Sequence, residues 1–259
     1  MDEIQKFEHE VKSNIENLGQ NVELKRMSID WIRETSKNKY SYNFKWLGRP
    51  IIQYPEDIVG MHELIWNVKP DLIIETGVAH GGSLIFYASQ LLNLDYEEAF
   101  KNKSAIIPGE SKRKVLGIDI DIRKHNLDAI KKNMLSPYID LLEGSSVSES
   151  MIEKVRVYSK GFKKILVILD SNHTHEHVLK ELNLYSDLVS KDSYCVVFDT
   201  VVEDMPEDMF PDRPWGKSNN PKTAVWDFLK SSDKFEIDHQ IDNKLLISVA
   251  PQGYLKRIK

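Results

Sequence analysis

The sequence predicts an α/β protein built on one mostly parallel sheet, and three observations carry that prediction. From residue 71 onward, short apolar runs alternate with helical stretches, as expected where strands and covering helices take turns along the chain. Three runs, Leu72-Ile73-Ile74, Ile165-Leu166-Val167-Ile168-Leu169 and Cys195-Val196-Val197-Phe198, are apolar at successive positions, which marks strands covered on both faces. The turn Glu75-Thr76-Gly77-Val78-Ala79-His80-Gly81-Gly82-Ser83 directly follows the first of these runs and precedes an amphipathic stretch over 84–92.

Taken in order, residues 2–36 are charged, with Ile4, Phe7, Val11 and Ile15 spaced three to four apart, and read as an amphipathic helix followed by a second. Residues 40–55 contain Phe44, Trp46, Gly48, Pro50 and Pro55, which interrupt any helical period and mark a structured lead-in. Residues 1–55 therefore form an N-terminal helical extension to a catalytic domain over 56–259. Helix resumes near Glu56 and ends before Pro70. Strands are expected at 71–75, 115–119, 139–143, 165–170 and 194–199, with helices between them. Residues 94–114 are polar and read as a surface insertion. Residues 203–221 hold four prolines with Trp215 and Gly216 and directly follow a strand end, where ligands sit in such sheets, so they are the candidate lid. A helix starting near Pro221 with Asn220 as its cap leads to two further strands at 235–238 and 245–249, with Asp242 and Asn243 in the turn between them.

Composition narrows the function. A chain of 259 residues buries one full core, and its formal charge of −5 leaves no basic excess for a nucleic-acid backbone. The single Cys195 rules out an intrachain disulfide and a CxxC metal or redox site. No segment approaches the ~18 apolar residues of a membrane span and no export signal is visible at the N-terminus, so a cytoplasmic enzyme with no membrane or nucleic-acid partner is expected. The amphipathic N-terminal helices could pack on their own domain or in a homo-oligomer.

Five places carry candidate chemistry. The glycine turn lets a backbone approach a ligand closely, and the helix start behind it offers free N–H groups to a carboxylate or phosphate, although a ligand-free tight turn has the same pattern. Asp119, at the tip of the second strand, can accept both ribose hydroxyls of a nucleoside, with Asp121 as its competitor. Ser145 and Ser146 follow the third strand and can flank an adenine ring, or can simply make a turn. Asp170-Ser171-Asn172-His173-Thr174-His175-Glu176-His177 puts a carboxylate at a strand end and histidines behind it. Asp170 can ligate a divalent cation, and His173 or His175 can accept a proton from a substrate hydroxyl. The histidines also admit zinc, but no third soft ligand accompanies them. Asp199-Thr200, with Glu203 and Asp204 beyond, gives the next strand a carboxylate end too.

These residues resemble the cephalosporin hydroxylase-like family of S-adenosylmethionine-dependent methyltransferases. The likeness rests on residues 75–83, Gly117-Ile118-Asp119, residues 169–178, Asp199-Thr200, and residues 213–216 through 219–224, and it spans roughly residues 45–255. More distantly the chain is similar to metal-dependent catechol and macrocin-type O-methyltransferases. The resemblance implies a Rossmann-like seven-stranded sheet with an antiparallel C-terminal hairpin. It also implies S-adenosylmethionine as cofactor, with the methionine end at Glu75, Thr76, Gly77, Ala79, Gly81, Gly82 and Ser83, the ribose at Asp119 and the adenine near Ser145 and Ser146. Magnesium would sit on Asp170 and Asp199, with Thr200 beside them, and His173 would be the base. The pattern departs at Phe198 and Thr200, where relatives carry acids or amides, and Glu203 or Asp204 could then complete the metal set. The implied reaction is O-methylation of a small-molecule or saccharide acceptor. Its rivals are a hydroxylase or β-lactam-modification component, a nicotinamide dehydrogenase and a non-catalytic cofactor-binding protein.

Overall fold

The computed structural model describes residues 2–259. Two helices, α1 (Glu3–Gln20) and α2 (Val22–Ser36), open the chain, each started by a side-chain cap, Asp2 for α1 and Asn21 for α2. A 3₁₀ turn (Tyr40–Asn43) and a short hairpin of β1 (Phe44–Trp46) and β2 (Arg49–Ile51) form the lead-in, followed by α3 (Pro55–Val68) with Pro55 at its first position. The domain then alternates: β3 (Leu72–Thr76), α4 (Gly82–Asn102), β4 (Lys114–Asp119), α5 (Lys124–Lys131), β5 (Ile139–Glu143), α6 (Glu149–Ser159), β6 (Ile165–Leu169), α7 (His175–Tyr185), β7 (Tyr194–Val197), α8 (Pro221–Ser231), β8 (Phe235–Ile237), α9 (His239–Leu245) and β9 (Tyr254–Arg257).

The main sheet has seven strands in the order β5-β4-β3-β6-β7-β9-β8. The five strands from β5 to β7 are parallel, and β9 runs antiparallel between β7 and β8. Because β3 and β6 are completely buried, both faces need apolar cover. On one face Ile73, Val115, Leu166 and Val196 pack against α3 and α4. On the other, Leu72, Ile74, Leu116 and Val167 pack against α6, α7 and α8. The chain leaves β3 toward β4 on one side and returns through β6 on the other, so a ligand crevice opens over the carboxyl ends of β3 and β6. No helix among the described residues is long and apolar enough to cross a membrane.

Two expectations are corrected. Residues 245–249 are not a strand: α9 ends at Leu245, and Leu246 turns the chain with φ +57°. The buried Asp57 of α3 then accepts hydrogen bonds from Ser248 Oγ and Val249 N, so this apolar run finds burial and polar partners away from the sheet. The last strand is β9, and it reaches β8 through a helix rather than a tight turn at Asp242-Asn243. The expected insertion at 94–114 is also half helix, since α4 runs on to Asn102 and Glu97 pairs with both Lys101 and Lys69 along its polar face.

Candidate active site

The glycine turn is held from three directions. Gly77 has φ +93°, and a Cβ there would lie 2.1 Å from the Asp170 carbonyl oxygen, so only glycine lets β3 and β6 end this close together. Asp119 Oδ2 accepts from Val78 N (2.7 Å) and Ala79 N (3.3 Å), which fastens the turn to the end of β4. From outside, Arg49 of β2 donates to the His80 carbonyl and to Asn126 Oδ1, while Asn126 Nδ2 donates to the Ala79 carbonyl at 2.8 Å. A Cβ on Gly82 would meet the Pro50 carbonyl at 2.0 Å, so the hairpin sits directly against the start of α4. Glu75 lies fully buried beneath the turn. Burial pushes its carboxyl up to about 8, against the hydrogen bond that Ser83 Oγ donates to Oε2 at 2.8 Å. Among the described residues, Glu75 Oε1 and Thr76 Oγ1 are buried without a hydrogen-bond partner.

At the ends of β6 and β7, Asp170, His173 and Asp199 present one ligand atom each, all within 4.8 Å of one another. Asp170 is placed by its own backbone, whose N–H donates to the Thr76 carbonyl at 3.0 Å. Asp199 adopts a left-handed conformation (φ +55°), one that aspartate tolerates better than most residues, and this turns its side chain out of the strand line. His173 Nε2 lies 3.1 Å from Asp199 Oδ2, and Trp215 from the following loop packs edge-on against the imidazole with centroids 4.9 Å apart. Burial first, and then the charges of Asp199 and Glu75, push the Asp170 carboxyl well above the usual carboxylate range. Close carboxylates that resist joint ionisation, with an imidazole beside them, suit a divalent cation.

Both groups open into one cavity of about 440 Å³. Its floor is the turn with Asp170 and Asp199. Its walls come from Ile32, Ser36 and Lys39 to Tyr54 on one side and from Val201 to Trp215 on the other. Ile32 and Tyr54 pack with Val201 and Met205, so the N-terminal segment and the loop after β7 share a small core of their own.

Of the expected site residues, the structure brings Gly77, Ala79, Gly82, Ser83, Asp170, His173 and Asp199 to this cavity, with Glu75, Thr76 and Gly81 just behind it. Asp119, Ser145 and Ser146 lie outside the lining, at the carboxyl ends of β4 and β5. Ser146 is buried, with its hydroxyl 3.2 Å from His177 Nε2. Thr200 does not join the cation cluster: it is completely buried and its hydroxyl donates to the Pro251 carbonyl at 2.8 Å. Glu203 and Asp204 are spent as well, Glu203 on Ser218 N and Asn220 Nδ2, Asp204 on Lys222. Phe198 is buried in the core, and the side chain that stands beside the two carboxylates is the imidazole of His173. His173 and His177 do not share a helix face, because α7 starts only at His175. His175 is taken by Thr223 and Asp227, and His177 stands between Ser171 and the buried Glu181. The Arg49–Asn126 clamp leaves no trace in the sequence beyond the Arg-Pro pair inside the lead-in.

Comparison with known proteins places the chain in a family. The family model described as Rhamnosyl O-methyltransferase/CmcI matches residues 38–258. A protein named rhamnosyl O-methyltransferase from Mycobacterium leprae (strain TN) is 28% identical over 183 residues, covering 68% of this chain and 71% of its own. Another of that name from Mycobacterium bovis (strain BCG / Pasteur 1173P2) is 27% identical over 206 residues, covering 78% and 73%. Among solved structures, a CmcI structure with Mg and SAM superposes with a TM-score of 0.56 at 17% identity, over 84% of this chain and 78% of that one. A CmcI apo-structure gives 0.56 at 18% identity, over 84% and 77%. With the sheet order, the glycine turn and the strand-end carboxylates in place, and with 38–258 matched, this chain belongs to the rhamnosyl O-methyltransferase/CmcI family.

Proposed function

We propose that this protein is an S-adenosylmethionine-dependent O-methyltransferase that acts on a sugar hydroxyl with the help of a divalent cation, magnesium first. The observation that carries the reading is the meeting of Asp170, His173 and Asp199 beside the glycine turn, in one cavity at the carboxyl ends of β3, β6 and β7. The residues fit both groups. The unpartnered Glu75 Oε1 and Thr76 Oγ1 lie under the turn that would take the methionine end, and the strand-end carboxylates form an oxygen-rich cation site. The names of the matched relatives put a rhamnosyl hydroxyl first among acceptors.

When bound, S-adenosylmethionine supplies an electrophilic sulfonium methyl group, and a divalent cation supplies charge that makes a hydroxyl easier to deprotonate. The chain's own residues do the rest. Residues 75–83 would hold the methionine end, Asp119, which also fastens the turn, would take the ribose, and Ser145 and Ser146 would flank the adenine. Asp170 and Asp199 would hold the cation. His173, held beside Asp199 and packed on Trp215, receives the acceptor's proton on its imidazole. The walls from 32–54 and 201–215 exclude water and fix the acceptor in near-attack geometry, which makes residues 32–54 of the N-terminal extension part of the acceptor site. We place the protein in the cytoplasm, where the buried Cys195 remains a free thiol.

The test is transfer of labelled methyl from S-adenosylmethionine to a panel of rhamnosides, with and without magnesium, for the wild type and Asp170→Ala. Labelled O-methyl sugar that requires the cation and falls to background in the variant is expected. Transfer indifferent to chelator and to Asp170, or none to any sugar, would remove the assignment.

A further inference from the structure

The acceptor end of the cavity carries charge that a neutral sugar would leave unanswered. Apart from tyrosines, its ionisable lining residues are Lys39, His80, Asp170, His173, Asp199 and Arg213. Once a divalent cation balances Asp170 and Asp199, the fixed charge left on the walls is that of Lys39 and Arg213, both positive. They come from different walls, and each is laid on an aromatic ring: Lys39 Nζ is 6.0 Å from the Tyr42 centroid, and the Arg213 guanidinium is 5.1 Å from that of Trp215. Neither side chain has an ion pair or a hydrogen bond among the described residues, in a chain with more carboxylates than bases. The acids nearest in sequence do not answer them. Glu203 and Asp204 are already bonded elsewhere, and Glu207, Asp208 and Asp212 do not line the cavity. Two free cations, each beside a ring that can carry the apolar face of a sugar, make a site for a sugar that bears an anion.

We infer that the acceptor is an anionic saccharide, with a phosphoryl or carboxylate substituent seated between Lys39 and Arg213 while its hydroxyl reaches His173. This rests on the methyltransferase reading and narrows its substrate class.

The experiment is calorimetry on the full chain loaded with S-adenosylhomocysteine and magnesium, using three probes: inorganic phosphate, D-glucuronate and the neutral methyl rhamnoside. The comparison protein is the double variant Lys39→Met, Arg213→Met, which keeps the apolar stems. At least one of the two anions should bind the wild type about tenfold or more tighter than the variant, and whichever responds names the substituent as phosphoryl or carboxylate. That binding should weaken as sodium chloride rises from about 50 mM to about 500 mM, because exposed charges are screened. The variant should lose at least about tenfold more affinity for the responding anion than for methyl rhamnoside. The inference is overturned if neither anion binds, or if an anion binds both proteins equally, as capture at the Asp170–Asp199 cation would produce. Uptake of S-adenosylhomocysteine separates the two levels: a wild type that takes none overturns both readings, whereas uptake without anion binding overturns this one alone. Should the double variant lose that uptake, the wild type's salt response decides, and an affinity unmoved by salt overturns the inference.

Discussion

Asp57 offers a perturbation whose size follows from its surroundings. Its fully buried carboxylate accepts from Ser248 Oγ at 2.6 Å, Val249 N at 2.9 Å and Tyr254 OH at 3.2 Å, and so ties the segment carrying the cavity residue Val249 to α3. Burial pushes this carboxyl up to about 7, against those three hydrogen bonds. In the unfolded chain it titrates near ~3.9. The folded protein thus keeps a proton that the unfolded chain releases. The associated stability is fully present below about pH 3.9 and is lost progressively as pH rises through 7. About three pH units at ~1.4 kcal/mol each amount to roughly 4 kcal/mol. Asparagine has the same shape and cannot ionise; its Oδ1 can keep the Val249 N–H while its amide faces the two hydroxyls. The advantage of Asp57→Asn over the wild type should therefore open between about pH 4 and about pH 7 and stay constant above that. Between about pH 5 and about pH 8 it should grow by roughly 3 kcal/mol, or roughly 6–12 °C in melting temperature for a chain of this size. Paired thermal melts at the two pH values measure it, and subtracting wild type from variant removes the other titrating groups. A difference that does not change with pH, or a variant that loses ground as pH rises, would refute the reasoning.

Other expected outcomes follow from the same geometry. Gly77→Ala would drive a Cβ to 2.1 Å from the Asp170 carbonyl, and calorimetry should show S-adenosylhomocysteine binding weakened at least about tenfold, ~1.4 kcal/mol; an unchanged affinity counts against the turn as the cofactor seat. His173→Gln should slow methyl transfer by roughly 10²–10⁴ while leaving cation affinity within about threefold, and a cation site lost along with the rate would make His173 a ligand instead of the base. Asn126→Ala strands the Ala79 carbonyl and one arm of Arg49, at a cost of about 1–3 kcal/mol in stability. Adenosyl-ligand affinity should fall with it and cation affinity should not, which a pair of titrations would check.

Much of the architecture was readable because burial on both faces leaves an unbroken apolar signature. The runs at Leu72, Ile165 and Cys195 give β3, β6 and β7 within a residue or two, and the Asn220–Pro221 cap fixes the start of α8. Residues 245–249 misled because their apolar character serves packing on α3, and the carboxylate that satisfies their backbone lies nearly two hundred residues earlier. The helix over 94–102 was hidden for the opposite reason, since its polar face carries no core pattern and is held by long-range pairs such as Lys69–Glu97. Within the site, strand-end positions could be read from Asp170 and Asp199, whose places follow from the sheet. What could not be read was the direction of each side chain. Thr200 follows Asp199 by one residue yet points into the protein, and His173 reaches the carboxylates only because its loop stops short of α7. The clamp through Arg49 and Asn126 joins three elements and has no local spacing to announce it.

The measurement that bears most directly on the methyltransferase assignment is calorimetric binding of S-adenosylmethionine and S-adenosylhomocysteine to the purified chain, with and without magnesium and with NAD as control. Binding of both adenosyl ligands, and not of NAD, is the predicted result. A preference for NAD, or no binding of either adenosyl ligand, would contradict it.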